Sequence, residues 1–195
     1  MNENRKKRIL CLGDSNTFGY DPHASFGGRY GEDVRWTARL QAAGWQVFNG
    51  GMNGAVVPGA GEDAAVASLI QSRQPLDAIT VMYGTNDVLR GADAAETAAR
   101  MERFLPLVRA NAQHAAVLLV APPPVTWGDW VQSAAVIRAS EALSTCYQAI
   151  AAAQGAVFAD AGAWGVSLSF DGVHFTPEGH AAFFRGLLGA LEYAP

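Results

Sequence analysis

Five short apolar runs, separated by stretches with a helical period, recur from one end of the chain to the other. This alternation is how a parallel sheet covered by helices is written in sequence. The runs are Arg8 to Leu12, Trp45 to Phe48, Ala78 to Tyr83, Ala116 to Val120 and Ala156 to Phe158. Each is short and apolar, as strands buried on both faces are. Between the runs, Val136, Ser140, Leu143, Tyr147 and Ile150 share one helical face, and Phe184, Leu187, Leu188 and Leu191 share another near the C-terminus. Thr176-Pro177-Glu178 offers a capping hydroxyl followed by a proline suited to a first turn, so the last helix is expected to start near Pro177. Pro106 falls inside the helical stretch from Ala94 to Ala112 and is expected to kink or divide it. Pro122, Pro123 and Pro124 follow the fourth run directly and fix an extended loop, expected to wall a pocket.

With 195 residues, half of them apolar, the chain can bury one sizeable core, so residues 1–195 are expected to form a single domain with residues 1–7 as a tail. The net charge is −4 and no basic face is evident, which disfavours a nucleic acid or an anionic membrane as partner and leaves a small molecule. Lys6 and Lys7 are the only lysines and both lie in the tail, so a phosphate-loop lysine and a Schiff-base lysine are excluded. The basic start is followed by only four apolar residues, Ile9 to Leu12, far short of a secretory core, and no window is long enough to span a membrane. A cytoplasmic protein is the expectation. Cys11 and Cys146 lack a Cys-x-x-Cys spacing and are read as buried thiols rather than ligands.

Four polar clusters punctuate this scaffold: Gly13-Asp14-Ser15, Asn49 to Gly54, Gly84-Thr85-Asn86-Asp87, and Asp171-Gly172-Val173-His174. They follow the first, second, third and fifth runs, so all lie past carboxyl ends of strands, where ligands of open parallel sheets bind. A serine hydroxyl needs a base to take its proton as it attacks a carbonyl, and His174 is the best candidate. Asp171, three residues earlier, can fix the tautomer of that ring and stabilise the imidazolium. The oxyanion that forms needs donors already aimed at it, and three are available: the Ser15 N–H, the Gly54 N–H and the Asn86 side-chain amide. Taken singly, these residues have plainer readings. Gly50, Gly51, Asn53 and Gly54 read as turn residues after a strand, and Gly84 with Asn86 as another turn. Asp14 and Asp87 read as local braces of their loops, and His23 and His114 as exposed or structural. His180 is a rival base, but no aspartate precedes it by three residues and its helix is committed to packing.

In this order the four clusters resemble the four blocks of the SGNH hydrolases, also called the GDSL esterase family, over nearly the whole chain. The resemblance implies a flavodoxin-like, three-layer α/β/α fold with no cofactor and no metal. It implies Ser15 as nucleophile, Asp171 and His174 as acid and base, and Ser15, Gly54 and Asn86 as the oxyanion hole. Val34-Arg35-Trp36-Thr37, the Gly84 to Asp87 block, Ala121 to Pro124 and Asp171 to Thr176 are similar to the arylesterase and acyltransferase branch. That branch accepts small acyl groups and tends to form homo-oligomers. The chain departs from the pattern at Asn16, where leucine is usual, and between Val57 and Gln74, which is short. Position 16 supplies no reacting atom, so the first departure is expected to spare the mechanism; the second bears on substrate preference and oligomer contacts.

The expected activity is hydrolysis of small acyl esters, acetylated carbohydrates among them, through an acyl-serine, with acyl transfer to another alcohol as a further outcome. Tyr20, Trp127 and Trp130 lie in loops near the motifs and are candidates to line the alcohol or acyl pocket. Three other readings compete. A flavodoxin-like binding module could use the same sheet edge, but it needs neither Asp171 nor His174. A metal hydrolase using Asp171, His174 and His180 lacks an established zinc spacing. The α/β-hydrolase elbow requires Gly-x-Ser-x-Gly, whereas Ser15 is followed by Asn16-Thr17.

Overall fold

The computed structural model describes residues 5–24 and 27–193. Five strands, β1 (Arg8–Gly13), β2 (Gln46–Gly51), β3 (Ala78–Met82), β4 (Ala116–Ala121) and β5 (Val157–Asp160), form one sheet. The order is β2-β1-β3-β4-β5 and every pairing is parallel. Among the described residues the seven α-helices are α1 (Ser15–Phe18), α2 (Trp36–Ala42), α3 (Asp63–Ser72), α4 (Thr85–Leu89), α5 (Ala94–Asn111), α6 (Ala134–Gln154) and α7 (Pro177–Glu192). Alternate residues of β1 feed opposite faces of the sheet. Leu10 and Leu12 join Ile79 and Val81 under α3, α5 and α6, where Ile70, Met101, Phe104, Leu143 and Tyr147 are buried. Ile9 and Cys11 join Leu118 and Val120 under α2 and α7, where Trp36, Leu40, Phe183, Leu187 and Leu191 are buried. The α/β/α layering follows from these two apolar faces of one sheet.

Strand order reverses between β1 and β3, because the chain leaves β1 toward β2 on one side and returns to β3 on the other. The carboxyl ends of β1 and β3 therefore open a crevice at the switch point. Ser15 follows β1 and Asn86 follows β3, so the crevice lies between them.

Several expectations need correction. Gly50 and Gly51 are not turn residues: β2 runs on from Asn49 through them, paired with Cys11, Leu12 and Gly13. A side chain at position 51 would overlap the backbone of Phe18, so glycine lets α1 settle against the strand. Pro106 does not divide its helix. A proline there leaves the Glu102 carbonyl without its N–H partner, and Gln154 Nε2 of α6 donates to that carbonyl at 2.9 Å. The helix thus continues with its freed acceptor satisfied by a neighbour. Helix α7 starts at Pro177, with Thr176 Oγ1 accepting the Gly179 N–H. Its buried face centres on Phe183, Leu187 and Leu191, with Phe184 and Leu188 at the margin. Residues 1–4 of the expected tail lie outside the described residues. From Arg5 onward the chain is tied down, since Arg5 pairs with Asp77 at 2.5 Å and the Lys7 carbonyl accepts the Gln46 N–H at 2.7 Å.

Candidate active site

Strand β1 delivers Ser15 directly. Asp14 caps α1 and its Oδ1 accepts the Asn16 N–H at 3.0 Å, which fixes the turn that carries the serine. Burial pushes the Asp14 carboxyl up to about 6. Ser15 is the first residue of α1, so its N–H has no partner within the helix.

Asp171 and His174 sit on the loop that leads into α7, closed at its base by a bridge between Leu168 and Phe175. His174 Nε2 stands 3.0 Å from Ser15 Oγ, and His174 Nδ1 stands 2.5 Å from Asp171 Oδ2. The second oxygen, Asp171 Oδ1, accepts the Val173 N–H at 2.9 Å and the His174 N–H at 3.0 Å. Burial raises the cost of ionising Asp171, but the imidazole and the two backbone N–H groups outweigh it and hold the carboxyl below its ordinary value. Asp171 thus stands as an ionised acceptor against the imidazole. Ser15, His174 and Asp171 are all buried.

The loop after β4 grips this segment. Trp130 donates its N–H to the Asp171 carbonyl at 3.1 Å, Asp129 to the Phe170 carbonyl at 3.1 Å, and Thr126 to the Gly172 carbonyl at 2.9 Å. Gly172 has φ of 79°, and a side chain there would overlap the Thr126 carbonyl, so the tight turn between Asp171 and His174 needs glycine. Of the prolines before this grip, Pro122 and Pro123 are buried and Pro124 is half-buried; none lines the cleft beside the Gly54 loop, and the exposed residues begin at Thr126.

Across the crevice, α4 holds the loop that carries Gly54. Asn86 Nδ2 donates to the Ala55 carbonyl at 2.9 Å, Asp87 Oδ2 accepts the Val57 N–H at 3.0 Å, and Arg90 Nη2 donates to the Gly54 carbonyl at 2.7 Å. Gly54 has φ of 71°, and its N–H has no partner among the described residues. One N–H of the Asn86 amide points at Ala55, which leaves the other for a ligand. Asp87 is not a local brace, since its partners are Val57 and, at 2.7 Å, Arg100 Nη1. Asp14, by contrast, does bond locally.

Two of the three aromatic candidates flank the imidazole. Tyr20 lies 4.5 Å and Trp130 5.0 Å from the His174 ring, centroid to centroid, the latter edge-on. Trp127 is exposed and has no ring partner among the described residues. A cleft of about 410 Å³ opens beside the Gly54 loop, lined by Met52, Asn53, Gly54, Ala55, Tyr83 and Arg90 among others. Neither Ser15 nor His174 lines it.

His180 is placed elsewhere. Its Nδ1 accepts the Trp36 N–H at 3.5 Å, and Tyr30 and Phe175 pack on its ring at 5.3 and 5.4 Å. Burial, followed by the charges of Arg39 and Arg35, lowers its pKa to about 3, which keeps it neutral. It therefore does not converge with Asp171 and His174, and among the described residues no three His, Cys, Asp or Glu side chains are placed to hold a metal ion. His23 meets Phe170 and Ser169, and His114 is exposed. Burial pushes the Cys11 thiol up to about 12, in keeping with an inert core residue. No helix among the described residues is long and apolar enough to cross a membrane. Sequence reasoning missed Arg90, the backbone of Trp130 and the side chain of Asn16; all act through partners on other loops, which no local pattern signals.

A five-stranded parallel sheet in the order 2-1-3-4-5, with a serine, histidine and aspartate bonded in series at its switch point, has the form of an SGNH-type ester hydrolase. The chain belongs to the GDSL-like lipase/acylhydrolase family, whose profile matches residues 11–182, and it is a carboxylic ester hydrolase of that class. Solved structures similar to it include the native aryl esterase of M. smegmatis, with a TM-score of 0.86 at 27% identity, covering 97% of this chain and 100% of that one. Another is a carbohydrate acetylesterase family member from Sinorhizobium meliloti, with a TM-score of 0.81 at 28% identity, covering 95% of this chain and 97% of that one. A comparison with curated protein sequences gives no match.

Proposed function

We propose that the protein is a serine esterase of short acyl esters that works through an acyl-enzyme on Ser15. The observation that carries this reading is the unbroken chain from Ser15 Oγ to His174 Nε2 at 3.0 Å and from His174 Nδ1 to Asp171 Oδ2 at 2.5 Å. Ser15 Oγ attacks the ester carbonyl carbon while His174 Nε2 takes its proton, and Asp171 stabilises the imidazolium without taking a proton itself. The carbonyl oxygen becomes an oxyanion and is met by the N–H groups of Ser15 and Gly54 and by the free N–H of Asn86. The C–O bond then breaks, the alcohol leaves with the proton from His174, and the acyl group stays on Ser15. Water, or a second alcohol, resolves this ester by the same steps in reverse.

Tyr20 and Trp130 beside the proton-donating ring favour a leaving alcohol that carries a flat or ring-shaped group. The names of two similar proteins, an aryl esterase and a carbohydrate acetylesterase family member, support an aryl or sugar alcohol and an acetyl group. A series of p-nitrophenyl esters of rising acyl length, assayed beside acetylated saccharides, tests this. Turnover should be highest with acetate and should disappear in Ser15→Ala. Equal activity in Ser15→Ala would remove the proposal, and a preference for long acyl chains would remove the short-acyl part of it.

A further inference from the structure

Asn16 lies directly after Ser15, is 3% exposed, and uses both ends of its side chain. Its Nδ2 donates to the Val173 carbonyl at 3.1 Å, and its Oδ1 accepts the Phe175 N–H at 3.0 Å. These two groups lie on either side of His174 in the chain. The amide therefore gives the main chain around the base the pair of bonds that a neighbouring strand would give. Asn16 is itself fixed. Its carbonyl accepts the Trp36 Nε1–H at 2.9 Å and its N–H is held by Asp14, while Trp36 is buried against Phe183.

The chemistry of the position is narrow. One donor and one acceptor are needed side by side on a short stem, and an asparagine amide supplies both. An aspartate would keep the acceptor and lose the amide donor. Leucine would lose both, leaving the Val173 carbonyl and the Phe175 N–H of two buried residues without partners.

Other bonds around His174 run within its own loop, from Ser169 N–H to the His174 carbonyl and from the His174 N–H to Asp171. The bonds to the loop after β4 end at Gly172. Apart from the Ser15–His174 contact, among the described residues only Asn16 makes side-chain hydrogen bonds from the nucleophile's turn to residues 173–175.

We propose that Asn16 is a positioning residue whose amide clamps the main chain on both sides of His174 and so sets the imidazole at bonding distance from Ser15. This rests on the reading of Ser15 and His174 as nucleophile and base. With leucine at this position the main chain beyond Gly172 would be held by bonds within its own loop, and a misplacement of the ring by about 1 Å can cost roughly 10²-fold in rate.

Asn16→Leu and Asn16→Asp test the clamp. For each, kcat and KM with p-nitrophenyl acetate and the rate of Ser15 labelling by a fluorophosphonate are measured well below the melting temperature of the variant. In Asn16→Leu, kcat and the labelling rate should fall together by about 10- to 100-fold with KM nearly unchanged. Asn16→Asp keeps the Phe175 bond but sets a carboxyl oxygen against the Val173 carbonyl, so kcat and the labelling rate should fall here too with KM nearly unchanged; being closest in shape, it carries the test if the leucine variant does not fold. Wild-type kcat and labelling rates in both variants would overturn the proposal, as would a rise in KM with kcat intact. In either event, wild-type labelling that vanishes in Ser15→Ala would leave the proposed function standing. A wild-type protein that does not label would remove both.

Discussion

Asp87 Oδ2 accepts the Val57 N–H at 3.0 Å, and this bond, beside the one from Asn86 Nδ2 to the Ala55 carbonyl, ties α4 to the loop that presents Gly54. The carboxylate is fully buried, whereas its other partner, Arg100, is half exposed. The backbone bond should therefore matter more than the ion pair, because the half-exposed guanidinium is partly screened by solvent. Asp87→Ala leaves a buried N–H unpaired and should lower stability by about 1–3 kcal/mol and reduce kcat as the Gly54 loop loosens. Arg100→Ala, which leaves the Val57 bond in place, should cost less than Asp87→Ala. Urea unfolding of the two variants checks the ranking; equal losses would contradict it.

Asp171→Asn tests the role of the acid apart from its shape. The amide can donate toward His174 Nδ1, which turns the ring to the wrong tautomer for accepting the serine proton. Turnover should drop by about 10⁴-fold with the fold intact. Steady-state kinetics with p-nitrophenyl acetate, beside a circular dichroism melt, measures both. A loss of less than tenfold would mean that Asp171 does not orient the base.

Much of this was legible from the sequence, because strands buried on both faces and loops at their carboxyl ends leave local signals. Ser15, Asn86 and the Asp171 to His174 segment each follow such a strand or its outgoing loop, so their convergence could be read from order alone. What could not be read depends on contacts between segments far apart in the chain. Pro106 signals a broken helix, yet Gln154 from α6 repairs the orphaned Glu102 carbonyl. Asn49 to Gly51 have turn composition, yet β1 offers them a ladder. Asp87 and Asn16 looked local or spare, and their partners, Val57 and the chain around His174, show no periodicity that points back to them.

His180 gives the protein an acid-sensitive core. Its folded pKa is lowered to about 3, while an unfolded histidine titrates at about 6.5. Below that value the unfolded chain takes up a proton that the folded chain refuses, so stability falls as pH drops from about 6.5 toward 3. At pH 5 this one residue should cost about 2 kcal/mol relative to neutral pH. His180→Phe fits among Tyr30 and Phe175 and forfeits only the 3.5 Å bond from Trp36. The variant should show a flatter dependence of melting temperature on pH between 5 and 7. An unchanged slope would mean that His180 titrates normally in the folded protein.

Trp130 stands edge-on to His174 and is more than half exposed, so its ring is free to meet a leaving group. Trp130→Ala keeps the backbone N–H that holds Asp171 and removes only the indole. An aromatic contact of this kind is worth about 0.5–1.5 kcal/mol, so KM for aryl acetates should rise about 2- to 12-fold while kcat changes little. Ethyl acetate, which has no ring to stack, should show no such change. A uniform rise across both substrates would contradict a leaving-group role for the ring.

In the proposed mechanism Ser15 is made nucleophilic by His174. Mass spectrometry of the intact protein and of its Ser15 peptide after exposure to a fluorophosphonate tests it most directly. The account predicts one adduct per chain, located on Ser15, absent in Ser15→Ala and slowed by several powers of ten in His174→Ala. Labelling that persists in Ser15→Ala, or that proceeds at the wild-type rate without His174, would contradict it.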